Sequence, residues 1–133
     1  MLRRTLLAAG FVLVAAVAYA LVLHPYLQRR KAKHDVDVLA LSLEGYASEH
    51  GEYPRGTPAE IAALLRGQSV GDQNEQKLDY IEADADEMNA TGELIDPWGT
   101  PYRMFFKPNA RVYSCGPNRT DEHGDGDDIT SWK

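Results

Sequence analysis

The chain has 133 residues, of which 44% are hydrophobic and 26% charged, and its formal net charge at pH 7 is −6. Residues 1–33 carry six bases and no acid, whereas residues 34–133 carry all 20 acids and a net charge of −12. An acidic domain argues against nucleic acid as a partner, because proteins that bind nucleic acid present a basic face. We divide the chain into an N-terminal membrane anchor with basic flanks, residues 1–33, and one soluble domain, residues 34–133.

The first apolar segment contains no charged residue from Thr5 to Leu23. About 20 apolar residues span the hydrocarbon core of a bilayer, so this segment predicts a single membrane-spanning helix in contact with lipid. The alternative is a secretory signal peptide that is cleaved after Ala20, since residues 18–20 have the small-x-small pattern of a cleavage site. Positive charges flank both ends of the segment, so charge alone does not give its orientation.

Helical spacing resumes after the basic cluster. One apolar stripe recurs every three or four residues and predicts that a helix continues to about His50, with Gly51 after its end; the stripe is formed by Val36, Leu39, Ala40, Leu43, Tyr46 and Ala47. Pro25 lies between the two helical segments and either kinks one long helix or separates two. We favour one helix, bent near Pro25.

A second helix is predicted from a capping box, in which Thr57 is the N-cap, Pro58 follows it, and Glu60 is the third helical residue. The apolar residues that follow carry this helix to Gly67. Residues 68–94 are polar and acidic. We expect an irregular region there, with a short helix around 82–89 whose acids face solvent.

The C-terminal third predicts strands. A turn at residues 96–99 precedes two β-prone runs, residues 102–106 and 111–115, which a short Pro/Asn turn joins into a hairpin. A last strand is expected near residues 129–132. Helices first and strands afterwards indicate an α+β fold, with a long N-terminal helix on a small antiparallel sheet. Cys115, the single cysteine, is expected to be a small buried hydrophobe.

An acidic loop lies between Gly116 and Ile129. It places six oxygen-bearing side chains among glycines: Asn118, Asp121, Glu122, Asp125, Asp127 and Asp128. These groups repel one another unless a cation neutralises them, and calcium takes 6–8 oxygen ligands. The spacing does not give the closing Glu of an EF-hand. Composition alone leaves two interpretations open, a calcium site and a solvated turn.

Several motifs together resemble the G-type (major) pseudopilins of type II secretion systems. They are Gly10-Phe11 before an apolar helix, the sequence Gly-Glu-Tyr-Pro at 51–54, Asp-Pro-Trp-Gly-Thr-Pro-Tyr at 96–102, and Tyr-Ser-x-Gly-Pro-Asn at 113–118 running to Asp-Asp-Ile at 127–129. The last two, in this order near the C-terminus, are the most specific, and the resemblance covers nearly the whole chain.

The resemblance implies a pilin-like fold and assembly with copies of itself or other pseudopilins into a short fibre. It also implies an inner-membrane assembly platform as a partner, and a single-pass protein of the bacterial inner membrane whose C-terminal domain is periplasmic. Prepilin peptidase would cleave between Gly10 and Phe11. Ala15 stands at the fifth position after this bond, where members of the family carry a Glu.

The resemblance further implies a calcium ion in the loop after the hairpin. The side chains at matching positions are Asn118, Asp127 and Asp128, and a backbone carbonyl near Ser114 or Cys115 would contribute. Asp121 and Asp125 are further candidates for calcium ligands.

The sequence thus predicts a structural subunit of a type II secretion pseudopilus, stabilised by calcium and serving protein secretion across the outer membrane. The alternative function is a membrane-tethered, non-assembling pilin-like module with a binding or accessory role. We do not expect an enzyme, because no nucleophile and base lie at a recognisable spacing.

Overall fold

The computed structural model describes residues 2–133, with side chains from Arg4 onward. Met1 and the side chains of Leu2 and Arg3 lie outside the described residues, and so does the part that Arg3 plays in the predicted basic flank of the anchor. The described residues form three α-helices and a three-stranded antiparallel sheet. This arrangement therefore confirms the predicted α+β class.

One helical run reaches from the N-terminus to residue 50. It consists of α1 (Leu2–Ala18), a π-helical turn (Tyr19–Leu23) and α2 (His24–His50). Pro25 has no amide hydrogen to donate to the carbonyl one turn before it. The turn before Pro25 is widened, and the amide of His24 donates to the carbonyl oxygen of Tyr19, five residues back. The prediction of one helix is confirmed, and the chain adapts to Pro25 through this wider turn.

The N-terminal part of this run lies outside the folded domain. Every described side chain from Arg4 to Leu27 is exposed. The helix from Arg4 to His50 is long and apolar enough to cross a membrane, and none of its most apolar stretch is buried. These features fit a single-pass membrane anchor.

The core lies between the second half of α2, helix α3 (Pro58–Leu65) and the sheet. The side chains of Val36, Leu43 and Leu64 are fully buried in it. Both halves of the predicted capping box form, since Thr57 Oγ1 accepts from the amide of Glu60 and a Glu60 carboxylate oxygen accepts from the amide of Thr57. This pair sets the start of α3.

Residues 66–102 contain no α-helix or strand, and this stretch includes residues 68–94, which were predicted to be irregular. Their one helical turn among the described residues is a 3₁₀ turn, Ala85–Glu87, which is shorter than the helix predicted around 82–89. The side chain of buried Asn74 supplies hydrogen bonds in this region. Its amide nitrogen donates to the carbonyls of Leu64 and Leu78, and its oxygen accepts from the amide of Leu78. Glu87 does not simply face solvent, since its carboxylate lies 2.8 Å from Lys31 Nζ.

The sheet consists of β1 (Arg103–Phe105), β2 (Arg111–Ser114) and β3 (Ile129–Thr130), with β2 in the middle. The predicted hairpin forms between β1 and β2, with Met104 opposite Val112, and Cys115 just after it is buried. Hydrogen bonds join the sheet region to α2: Tyr102 donates to Asp35 at 2.8 Å, and Lys33 donates to the carbonyl of Thr130 at 2.9 Å. These bonds hold the sheet against the long helix.

Candidate metal centre

The acidic loop connects β2 to β3, two neighbouring antiparallel strands, so its two ends are fixed at one end of the sheet. Gly116 begins the loop with a positive φ of 69°, and a Cβ there would collide with the backbone carbonyl of Asp127. Only glycine fits this close approach of the two ends of the loop. The loop is consequently folded back on itself, and residues from its first and last parts meet.

Three carboxylates converge in this loop. Glu122, Asp127 and Asp128 each offer one oxygen atom, and these oxygens lie within 4.8 Å of one another. All three residues are partly buried. Such a group of hard oxygen donors suits a hard divalent cation, above all calcium.

The loop holds one oxygen of each aspartate and leaves the other without a partner. Asp128 Oδ2 accepts hydrogen bonds from the amides of Glu122 and Gly124, at 3.1 and 2.8 Å. Asp127 Oδ2 accepts from the amide of Asn118 at 3.1 Å. The Oδ1 atoms of Asp127 and Asp128 are buried and have no hydrogen-bond partner. Buried carboxylate oxygens without a partner are costly, so these two atoms fit the donors that a cation needs.

The backbone amides also fix the third carboxylate. Glu122 Oε2 accepts from the amide of Asp127 at 2.9 Å and from the side-chain amide of Asn118 at 3.3 Å. Gly126 has a φ of 55°, and a Cβ at this position would collide with the Glu122 carboxylate. Glycine at 126 therefore leaves the space that Glu122 occupies.

The electrostatics of the cluster favour an added positive charge. Burial raises the pKa of Asp128 above its usual value, and the nearby charges of Glu122 and Asp121 act in the same direction. The folded chain alone thus disfavours the ionised form of Asp128. A bound cation would reverse this effect by stabilising the carboxylate.

Of the predicted ligands, the structure brings together Asp127 and Asp128. Asp121 is engaged elsewhere: it accepts from the Tyr113 hydroxyl at 2.7 Å and lies 3.4 Å from Arg103 Nε. The Tyr113 hydrogen bond is the main reason that the pKa of Asp121 is lowered. Asp125 is exposed and lies 3.0 Å from Lys133 Nζ. Neither carboxylate belongs to the cluster.

The remaining candidates flank the cluster. The Ser114 hydroxyl is buried and donates to Asp96 Oδ2 at 2.6 Å. The side-chain oxygen of Asn118 accepts from the amide of Thr120 at 2.6 Å, so Asn118 meets the cluster through its hydrogen bond to Glu122. The sequence signal for Glu122 was its place among the acids of the loop, but the matched motif positions did not include it.

The predicted processing site lies at the other end of the molecule. Gly10 and Phe11 are within α1 and are exposed, and a Cβ at Gly10 would meet no other atom within 4 Å. Ala15 is exposed on the same helix. Cleavage between Gly10 and Phe11 stays a prediction.

Comparison with known proteins agrees with this architecture. The family model described as type II secretion system (T2SS), protein G, matches residues 27–132. No curated protein matches the chain. Among solved structures, the major pseudopilin from the type 2 secretion system of enterohaemorrhagic Escherichia coli has a similar fold. The TM-score is 0.57 at 23% identity, over 82% of this chain and 86% of that one. The chain belongs to the type II secretion system protein G family, and it is a pseudopilin in fold.

Proposed function

We propose that this pseudopilin is a structural, non-catalytic subunit of a type II secretion pseudopilus, built from copies of itself or together with other pseudopilins. The helix would hold the subunit in the bacterial inner membrane, next to the assembly platform, and the acidic domain would lie in the periplasm. The observation that carries the proposal is the family match over residues 27–132, together with a long helix whose described side chains from Arg4 to Leu27 are all exposed.

The surface of α2 supports assembly through the helix. Leu43 is fully buried in the domain, whereas Leu41, two residues earlier, is 74% exposed. Val38, nearly one turn before Leu41, is also exposed. The two exposed side chains form an apolar patch on α2, separate from the anchor and beyond the basic cluster.

Cross-linking in membranes tests this assembly. We expect wild-type chains to give ladders of multimers and Leu41→Gln to weaken them, because a polar side chain disfavours burial between helices. Leu78→Gln is the matched control, since Leu78 is an exposed leucine that belongs to the loop after α3 and not to α2. Monomer alone in wild-type membranes would contradict assembly into a fibre and support the alternative, a tethered accessory module. Ala15, which stands where family members usually carry a Glu, favours that alternative.

We also propose that calcium stabilises the C-terminal loop through Glu122, Asp127 and Asp128. The buried, unpartnered Oδ1 atoms of the two aspartates support this proposal. When bound, the ion would supply positive charge to three converging carboxylates. It would thereby tie the loop to the end of the sheet, where β3 meets Lys33 of α2.

The melting temperature measures this stabilisation. Calcium at 100 times its dissociation constant adds about 2.7 kcal/mol to the free energy of unfolding, which is roughly 10 °C or more for a domain of this size. We expect this rise with calcium and its loss on adding a chelator. The same melting temperature with calcium and with chelator would contradict the proposal that calcium stabilises the protein.

Prepilin peptidase is the proposed processing partner. The N-terminal residue of the protein taken from cells distinguishes the outcomes: Phe11 indicates pilin-type cleavage, and Leu21 a cleaved signal peptide. An N-terminus at Met1 would indicate a permanent anchor and would contradict processing.

A further inference from the structure

Two arginines just beyond the apolar segment have exposed side chains and no ion-pair partner in the described part of the chain: Arg29 and Arg30. The other two bases of this cluster are engaged by the domain. Lys31 Nζ lies 2.7 Å from Asp35 Oδ2, and Lys33 Nζ lies 2.9 Å from Asp37 Oδ1. The cluster is thus divided, and its first two charges are free to meet a partner outside the chain.

The helix geometry places the backbone of these two residues at the outer edge of the headgroup layer of the membrane. The uncharged segment ends at Leu23, and a rise of about 1.5 Å per residue puts Arg29 about 9 Å farther along the helix. The polar layer on each side of a bilayer is roughly 5–8 Å thick. Arginine side chains extend along apolar surface to reach polar surroundings. The guanidinium groups therefore reach the level of the lipid phosphates.

An aromatic ring accompanies the arginines. Tyr26 is exposed one turn before Arg30, and Arg30 Cζ lies 5.9 Å from the centre of its ring. Tyrosine is enriched where the hydrocarbon core meets the headgroups. Tyr26, Arg29 and Arg30 form what we call the juxtamembrane collar.

We propose that the juxtamembrane collar binds the phosphate groups of anionic phospholipids in the leaflet that faces the soluble domain. Arginine matches phosphate oxygens with paired N–H donors. The depth of the collar favours a lipid over an acidic protein, because residues at this level meet headgroups before they meet another soluble domain. The collar would also offset the repulsion between an anionic surface and a domain with a net charge of −12.

Lipid titration of the full chain in neutral detergent micelles tests the proposal. The probe is a tail-labelled phosphatidylglycerol whose binding is followed by fluorescence anisotropy, and phosphatidylcholine with the same acyl chains serves as the neutral lipid. We expect wild-type protein to prefer phosphatidylglycerol and to lose this preference as salt rises. Each basic residue near an anionic surface contributes about fivefold, so R29Q/R30Q should bind phosphatidylglycerol roughly 25-fold more weakly.

Two variants separate this effect from total charge and from folding. K77Q/K107Q removes the same charge at exposed positions of the soluble domain and should bind like wild type. R29K/R30K keeps the charge and should retain most of the preference. Equal affinity of wild type and R29Q/R30Q for phosphatidylglycerol would overturn the proposal. The proposal would also be overturned if R29Q/R30Q bound lipid like wild type but no longer cross-linked to a second copy. That result would identify an acidic protein surface as the partner.

Discussion

At Asp128, one carboxylate oxygen accepts two backbone amides while the other is buried without a partner. Burial raises the pKa of this group. A carboxyl with a raised pKa in the folded state favours folding when it is protonated. In the absence of a cation, its contribution therefore becomes unfavourable as the pH rises from the ordinary pKa through the raised one. The residue destabilises the metal-free fold at neutral pH and is suited to a cation.

Asp128→Asn should separate these two effects. The amide is neutral at all pH values and keeps an oxygen that can accept from the Glu122 and Gly124 amides. At pH 7 with chelator, we expect the variant to melt at or above the wild-type temperature, and with calcium clearly below it. Melting curves from pH 3 to 8 with chelator should show the difference in favour of the variant growing as the pH rises. A variant that is less stable than wild type in chelator would contradict this account.

Glu122 and Asp125 offer a sharper test of the ligand set. Glu122 points into the cluster, whereas Asp125 is exposed and pairs with Lys133. Glu122→Gln should weaken calcium binding roughly tenfold or more, since even partners of metal ligands change affinity by that much. Asp125→Asn is the matched control and should change it little. Calorimetric titration of the purified protein measures both, and the reverse order would restore Asp125 as the ligand.

The sequence predicted this site in part. Asp127 and Asp128 were identified because they match a family motif, and their neighbouring positions in the chain already place them together. Glu122 was not selected, because its approach depends on the positive φ of Gly126 and on the amide of Asp127. Asp121 was included on composition, but it faces Tyr113 on the neighbouring strand. Side-chain direction within an irregular loop follows from contacts that periodicity does not encode.

At the scale of the elements, α2 has two apolar surfaces with different roles. Leu43→Ala should lower the free energy of unfolding of the soluble domain by about 2–5 kcal/mol, because a fully buried leucine leaves a cavity. Leu41→Ala should change it by less than about 0.5 kcal/mol, as expected for an exposed position. Denaturant unfolding of both variants measures the difference. Equal losses would show that Leu41 also contributes to the core.

Most elements followed from local chemistry. The capping box placed the start of α3, the three- and four-residue spacing predicted the buried face of α2, and the Pro/Asn turn predicted the β1–β2 hairpin. The strands are shorter than predicted, and beyond the last one a single backbone hydrogen bond, from the amide of Ser131 to the carbonyl of Val112, still joins the chain to β2. The π-helical turn before Pro25 was not predicted, since an apolar run carries no sign of how its hydrogen bonds shift.

Across the whole molecule, the core and the anchor do not overlap. The buried hydrophobic residues begin at Ala32, and every described side chain from Arg4 to Leu27 is exposed. The contacts that join the N-terminal part of α2 to the domain start at Gln28, whose side chain donates to the carbonyl of Pro97 at 3.3 Å. Among the described residues, the core thus lies within the part of the chain from Gln28 onward, and the helix before it presents exposed, mostly apolar side chains.

Removal of residues 1–27 should therefore leave a folded domain. We expect residues 28–133 to be soluble and monomeric, because the exposed apolar surface of the anchor is gone while Lys31–Glu87 and Tyr102–Asp35 are kept. The melting temperature should lie within a few degrees of that of the full chain in neutral detergent, and the calcium-dependent rise should be retained. Near-UV circular dichroism and sedimentation measure the tertiary packing and the mass. A domain that loses its near-UV signal would show that the anchor stabilises the fold. One that still forms multimers would show that residues 28–133, which keep the exposed Val38 and Leu41 of α2, assemble without the anchor.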